Sequence, residues 1–228
     1  MTKPVSFAIA LFLARTVIAQ TFIMPGGDCG AVTLQVTRGA EFPDLGERIR
    51  SEEVATAYLF LPKQRIAVEA APDRRSFDFN ATIPRNGVVM ASIDFKPTIT
   101  GNETRTEHAK AFIRCGAIDR FDDWQRSTGL GLEIIPQWNG LMPLKAGDSM
   151  RFIAIEKATG KLLRDIPMEL YRAGAGHIAT GVRDKSGGVN FPFNGPDRYM
   201  VVATYRRPDP QQSGLWLVDT STLTFEIK

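Results

Sequence analysis

Only two cysteines and two histidines occur among the 228 residues, and no apolar run reaches the twenty or so residues that a membrane-spanning helix needs. Charge of one sign is also missing. Twenty-eight basic residues face 25 acidic ones for a net charge of +3, dispersed along the chain, which argues against a nucleic-acid footprint or a polybasic membrane patch. No Gly-x-Ser-x-Gly elbow, no closely spaced histidine pair with glutamate, no phosphate-cradling glycine loop and no paired-cysteine motif is present. These absences point away from an enzyme. Asp122-Asp123 is read as a solvated loop pair, and the scattered methionines, from Met24 to Met200, as core filling.

What is present begins at the N-terminus. Lys3 precedes an apolar run from Val5 to Ala14, about the length of a signal-peptide core, and Val17-Ile18-Ala19 supplies small or compact residues at the positions a signal peptidase reads. Cleavage after Ala19 is expected, with the mature chain starting at Gln20 in the periplasm. Cys29 is too far downstream to serve as a lipid anchor, so the mature protein is expected to be soluble, without membrane insertion. In an oxidising compartment Cys29 and Cys115 suggest one disulfide, closing a loop of about 86 residues. Two thiolate metal ligands are the alternative, disfavoured because neither cysteine has a closely spaced partner.

The dominant period is two. Ala31 to Arg38 alternates with Val32, Leu34 and Val36 on one face; Ser76 to Ile83 and Gly87 to Phe95 repeat the pattern around a Pro84-Arg85-Asn86-Gly87 turn. Val54 to Leu61 and Arg65 to Ala70 add two strands. Glu103 to Cys115 differs: Asn102 as N-cap, early acidic and late basic residues, and Gly116 directly after it are helix signals. A short helix is expected there, with His108 facing outward or edging the contact with the sandwich. Polar, glycine-rich residues 121–130 mark a linker, and about seven further strands follow in residues 131–228, with Pro136 ending the first. The expected architecture is mainly β: an N-terminal sandwich over 20–120, including the helix at 103–115, and a C-terminal sandwich over 131–228.

In the second half Gly131-Leu132-Glu133-Ile134-Ile135-Pro136, Gly147-Asp148, Gly160-Lys161-Leu162-Leu163, Asp184-Lys185-Ser186-Gly187-Gly188 and Thr222-Leu223-Thr224-Phe225-Glu226 occur in one order. With Val36 to Phe42 and Glu107 to Ala111, this resembles a family of bacterial periplasmic proteins of unknown function, some of which accompany nickel or cobalt uptake. The resemblance implies an immunoglobulin-like first domain and a second domain similar to transthyretin or carboxypeptidase-regulatory sandwiches. It also implies a non-catalytic accessory role, with nickel or cobalt as the divalent metal and a membrane metal transporter or other envelope protein as partner. Members that bind metal begin the mature chain with a histidine, where this chain has Gln20. His177 and His108 are then the candidate metal ligands. The competing expectation is a metal-independent envelope module that binds a ligand or protein, with Phe42, Trp138 and Trp216 as anchors.

Overall fold

The computed structural model describes residues 19–28, 30–44, 46–61, 64–68, 77–82, 87–115, 125–138 and 145–227. The expected signal segment up to residue 18, Cys29, the turn at 84–86 and Asp122-Asp123 lie outside them. Strands dominate, as the period-two pattern predicts, in three stacked sheets.

The first sheet holds β1 (Gln20–Asp28), β2 (Ala31–Gly39), β3 (Glu47–Arg48) and, also paired with β2, β6 (Asp78–Ala81). The central sheet contains β4 (Val54–Leu61), β5 (Gln64–Ala67), β7 (Gly87–Phe95), β8 (Thr98–Thr100) and β9 (Glu103–Cys115) from the first half. From the second half it takes β13 (Met168–Arg172), β14 (Gly176–Thr180), β16 (Asp197–Pro208) and β17 (Trp216–Ile227). The third sheet holds β10 (Leu132–Gln137), β11 (Ser149–Glu156), β12 (Lys161–Leu162) and β15 (Val189–Pro192). In the central sheet the order runs β14-β13-β16-β17-β9-β7-β4-β5. The two halves meet where β17 pairs in parallel with β9, while the other strand pairings are antiparallel.

Two apolar layers fill the space between sheets. Val89, Ala91, Ile93, Ala109, Ala111 and Ile113 of the central sheet pack with Ile23, Val32, Leu34 and Val36 of the first. The opposite face brings Met90, Phe112, Val201 and Phe225 against Leu132, Ile134, Phe152 and Phe191 of the third. Phe22, Met24 and Phe42 close the remaining gap over Met200 and Val202.

The helix expected at 103–115 is instead β9, and the only helical turn among the described residues is a 3-10 turn at Ser51–Glu53. His108 to Ile113 are buried without interruption. A strand with neighbours on both edges and a sheet over each face loses the apolar-polar alternation of a half-buried strand. Its true period is still two, because Ala109, Ala111 and Ile113 face one layer while Phe112 faces the other. Asn102, expected as a helix cap, sits in the turn ahead of β9, where Gly101 has φ +60° and the Asn102 carbonyl accepts from the Trp216 amide at 2.9 Å. Pro136 does not end β10 but pairs with Phe152 inside it. β10 lies at a sheet edge, where a missing N–H leaves no ladder bond broken.

Candidate functional site

Polar side chains gather where the parallel junction brings β17 beside β9. Thr56 and Asp94 are register partners across β4 and β7, Asp94 and His108 across β7 and β9, and His108 and Ser221 across β9 and β17. Pleating puts register partners on the same face, so the four residues form one row across four strands. His108 is only 4% exposed, which corrects the outward-facing histidine expected from a helix.

Asp94 Oδ1 lies 2.6 Å from His108 Nδ1, and Oδ2 of the same carboxylate accepts from the Thr56 hydroxyl at 3.2 Å. On the ring's other side Asp219 Oδ1 is 3.7 Å from Nε2, beyond hydrogen-bond reach, while its second oxygen meets the Arg207 guanidinium at 2.5 Å. Burial works against all three charged forms. The opposite charges outweigh it: the carboxylates raise His108 above the usual histidine value, the imidazole holds Asp94 below the usual carboxylate value, and the imidazole and Arg207 do the same for Asp219. Space is tight as well, since a Cβ on Gly131 would lie 2.6 Å from His108 Cε1.

The row resembles a nucleophile, base and acid only in composition. Ser221 is fully buried, and among the described residues neither its Oγ nor His108 Nε2 has a hydrogen-bond partner, so the two are not joined as an activated pair. The two carboxylates flank opposite ring nitrogens and do not converge on one point.

Deeper on the same face, Lys110 Nζ donates to Glu133 Oε1 at 2.6 Å, and both side chains are nearly inaccessible. Ser127 Oγ, the Thr128 amide and hydroxyl, and the Gly129 amide also donate to this carboxylate, at 2.6 to 3.1 Å. Burial resists ionisation of Glu133, but Lys110 and these donors prevail and hold it below the usual glutamate range. Segment 127–129 is thereby fastened over the central sheet.

That fastening creates a cleft of about 220 Å³, lined by Thr56, Tyr58, Ser92 and Asp94 of the central sheet, by Thr128 to Leu130, and by Arg65 and Lys157. The Arg65 guanidinium stacks 4.6 Å above the Tyr58 ring. Lys157 rests against Gly129, where an added Cβ would lie 3.8 Å from Cε and Nζ. Neither cation has a carboxylate partner among the described residues.

His177 stands apart from this place. It lies exposed on edge strand β14, with Nε2 3.1 Å from Thr180 Oγ1 and its ring edge-on to Tyr171 at 5.4 Å. Three strands separate β14 from β9, so the two histidines are roughly 19 Å apart at the usual strand spacing and do not share an ion. Among the described residues no group of three or more His, Cys, Asp or Glu side chains is placed to hold a metal. Gln20 donates to the Tyr171 hydroxyl at 3.0 Å, which places the expected mature start beside His177. Phe42, expected as an exposed anchor, is 3% exposed and packs edge-on against Phe22. Trp138 is partly buried against the second core, and Arg206 covers Trp216 at 3.7 Å. The Asp184 to Gly188 motif is turn chemistry: Asp184 Oδ1 accepts from the Ser186 and Gly188 amides, and Arg151 caps the carboxylate.

Among the described residues no helix is long and apolar enough to cross a membrane. No protein-family model matches the chain, and no curated protein matches it.

Proposed function

We propose that this chain is a non-catalytic binding protein of the bacterial envelope and that its ligand site is the cleft between Arg65 and Lys157. The observation that carries the reading is a built recess: polar residues on a sheet floor, a loop fastened by a buried ion pair, and two cations with no carboxylate of their own among the described residues. At about 220 Å³ it lies below the usual range for drug-sized ligands, so the ligand is small. Export rests on the apolar run from Val5 to Ala14 and the cleavage position after Ala19, and the Cys29–Cys115 bridge belongs to the same reading.

A second reading, accessory to nickel or cobalt uptake, draws on the family resemblance and on one contact. Gln20 takes the place of the histidine that begins metal-binding members, and its side chain reaches Tyr171, next to His177. A membrane metal transporter is the partner in that case.

Native mass spectrometry of protein recovered from the periplasm separates the two. The cleft reading expects a mass beginning at Gln20, two hydrogens below the reduced value, with a non-covalent small-molecule adduct that Arg65→Gln/Lys157→Gln removes. A stoichiometric nickel or cobalt adduct that His177→Ala removes, with no organic adduct, would replace it with the uptake reading.

A further inference from the structure

The cleft's charge balance points to a ligand class, and this inference rests on the cleft being the binding site. Its acceptor, Asp94, is already matched by the buried imidazole of His108 at 2.6 Å, and Asp219 behind the ring is matched by Arg207. The carboxylates beneath the floor thus have partners of their own. Arg65 and Lys157 have no carboxylate partner among the described residues, and they stand at the cleft on different elements, one from β5 and the other just after β11. Two such cations lining one recess favour an anion, and a carboxylate can take a bidentate pair of bonds from a guanidinium.

The floor adds a second requirement. Among the described residues Asp94 Oδ2 holds only the bond from the exposed Thr56 hydroxyl, and an ionised carboxylate oxygen can accept more than one. A ligand that is anionic throughout would meet repulsion at this oxygen, whereas a ligand carrying its own donor gains a charge-assisted bond there.

We infer that the cleft takes a small hydroxycarboxylate, its carboxylate held between Arg65 and Lys157 and a hydroxyl donating to Asp94. Tyr58 supplies an aromatic face on which Arg65 already rests, which keeps the guanidinium in place before the ligand arrives.

Isothermal calorimetry with lactate and gluconate, against the uncharged polyol sorbitol, tests this. At least one of the two acids is expected to bind at millimolar concentration or tighter, with sorbitol at least tenfold weaker. Arg65→Gln/Lys157→Gln should weaken the acid tenfold or more. Arg164→Gln, beside the separate recess at Lys161 to Ile166, should leave it unchanged. Sorbitol binding as well as the acids, or acid binding indifferent to Arg65→Gln/Lys157→Gln, would overturn the assignment, as would no binding by either acid. The native-mass adduct judges the cleft itself separately, since a neutral molecule retained there would keep the cleft and refute the hydroxycarboxylate.

Discussion

His108 and Asp94 sit opposite each other on β9 and β7, 2.6 Å apart between Nδ1 and Oδ1, in a row that the parallel pairing of β9 with β17 extends to Ser221. The geometry ties a titratable ring to the seam between the two halves of the chain.

Stability should therefore depend on pH in a definite direction. His108 is raised above its unfolded value of about 6.5, so its contribution is complete below that pH and is lost as pH rises through the folded value. Urea unfolding at a series of pH values should show stability falling on the alkaline side of 6.5. His108→Gln should flatten that fall, and an unaltered slope in the variant would refute the assignment to His108.

Glu133→Gln leaves the Lys110 ammonium buried without its anion. Removing one partner of a buried pair typically destabilises by about 3–5 kcal/mol, and a loss in that range is expected by chemical denaturation. A loss under about 1 kcal/mol would mean that the loop over the cleft is not fastened this way.

Gly131→Ala is a steric prediction. Its Cβ would meet the buried His108 ring at 2.6 Å, so overpacking of about 1–3 kcal/mol is expected, again by urea unfolding. Combined with His108→Ala the penalty should shrink, because the clashing ring is gone.

Phe225→Ala empties the meeting point of Phe152, Phe193 and Tyr199, whose ring centroids lie 5.6 to 6.1 Å from that of Phe225. The cost expected is about 3–5 kcal/mol. It should unfold both halves in one transition if the shared sheet joins them energetically, which calorimetry would show as a single peak.

Strands with one face toward a core were legible, and the clearest is β2, where Val32, Leu34 and Val36 are buried as the alternation predicts. β9 was not, because Ala109 and Ala111 on one face and His108, Lys110 and Phe112 on the other are all interior, and a run of that kind mimics a helix. Strand β14 was hidden by Gly174 and Gly176, which read as loop residues around His177. The polar row was out of reach for a different reason. Thr56, Asp94, His108 and Ser221 are scattered through the sequence, and only the register of four strands, including one parallel pairing, aligns them. The available sequence signal was small: a histidine, a lysine and an alanine pair inside one apolar stretch, each polar residue spaced by two.

The most direct test of the cleft is an amide-resolved NMR titration of the folded protein with lactate and with gluconate. The account predicts shifts concentrated at Ser92, Asp94, Thr128, Gly129 and Leu130, with the amides of β14 around His177 unmoved. Shifts centred on Gly176 to Thr180 with the cleft silent, or no localised shifts at saturating ligand, would contradict it.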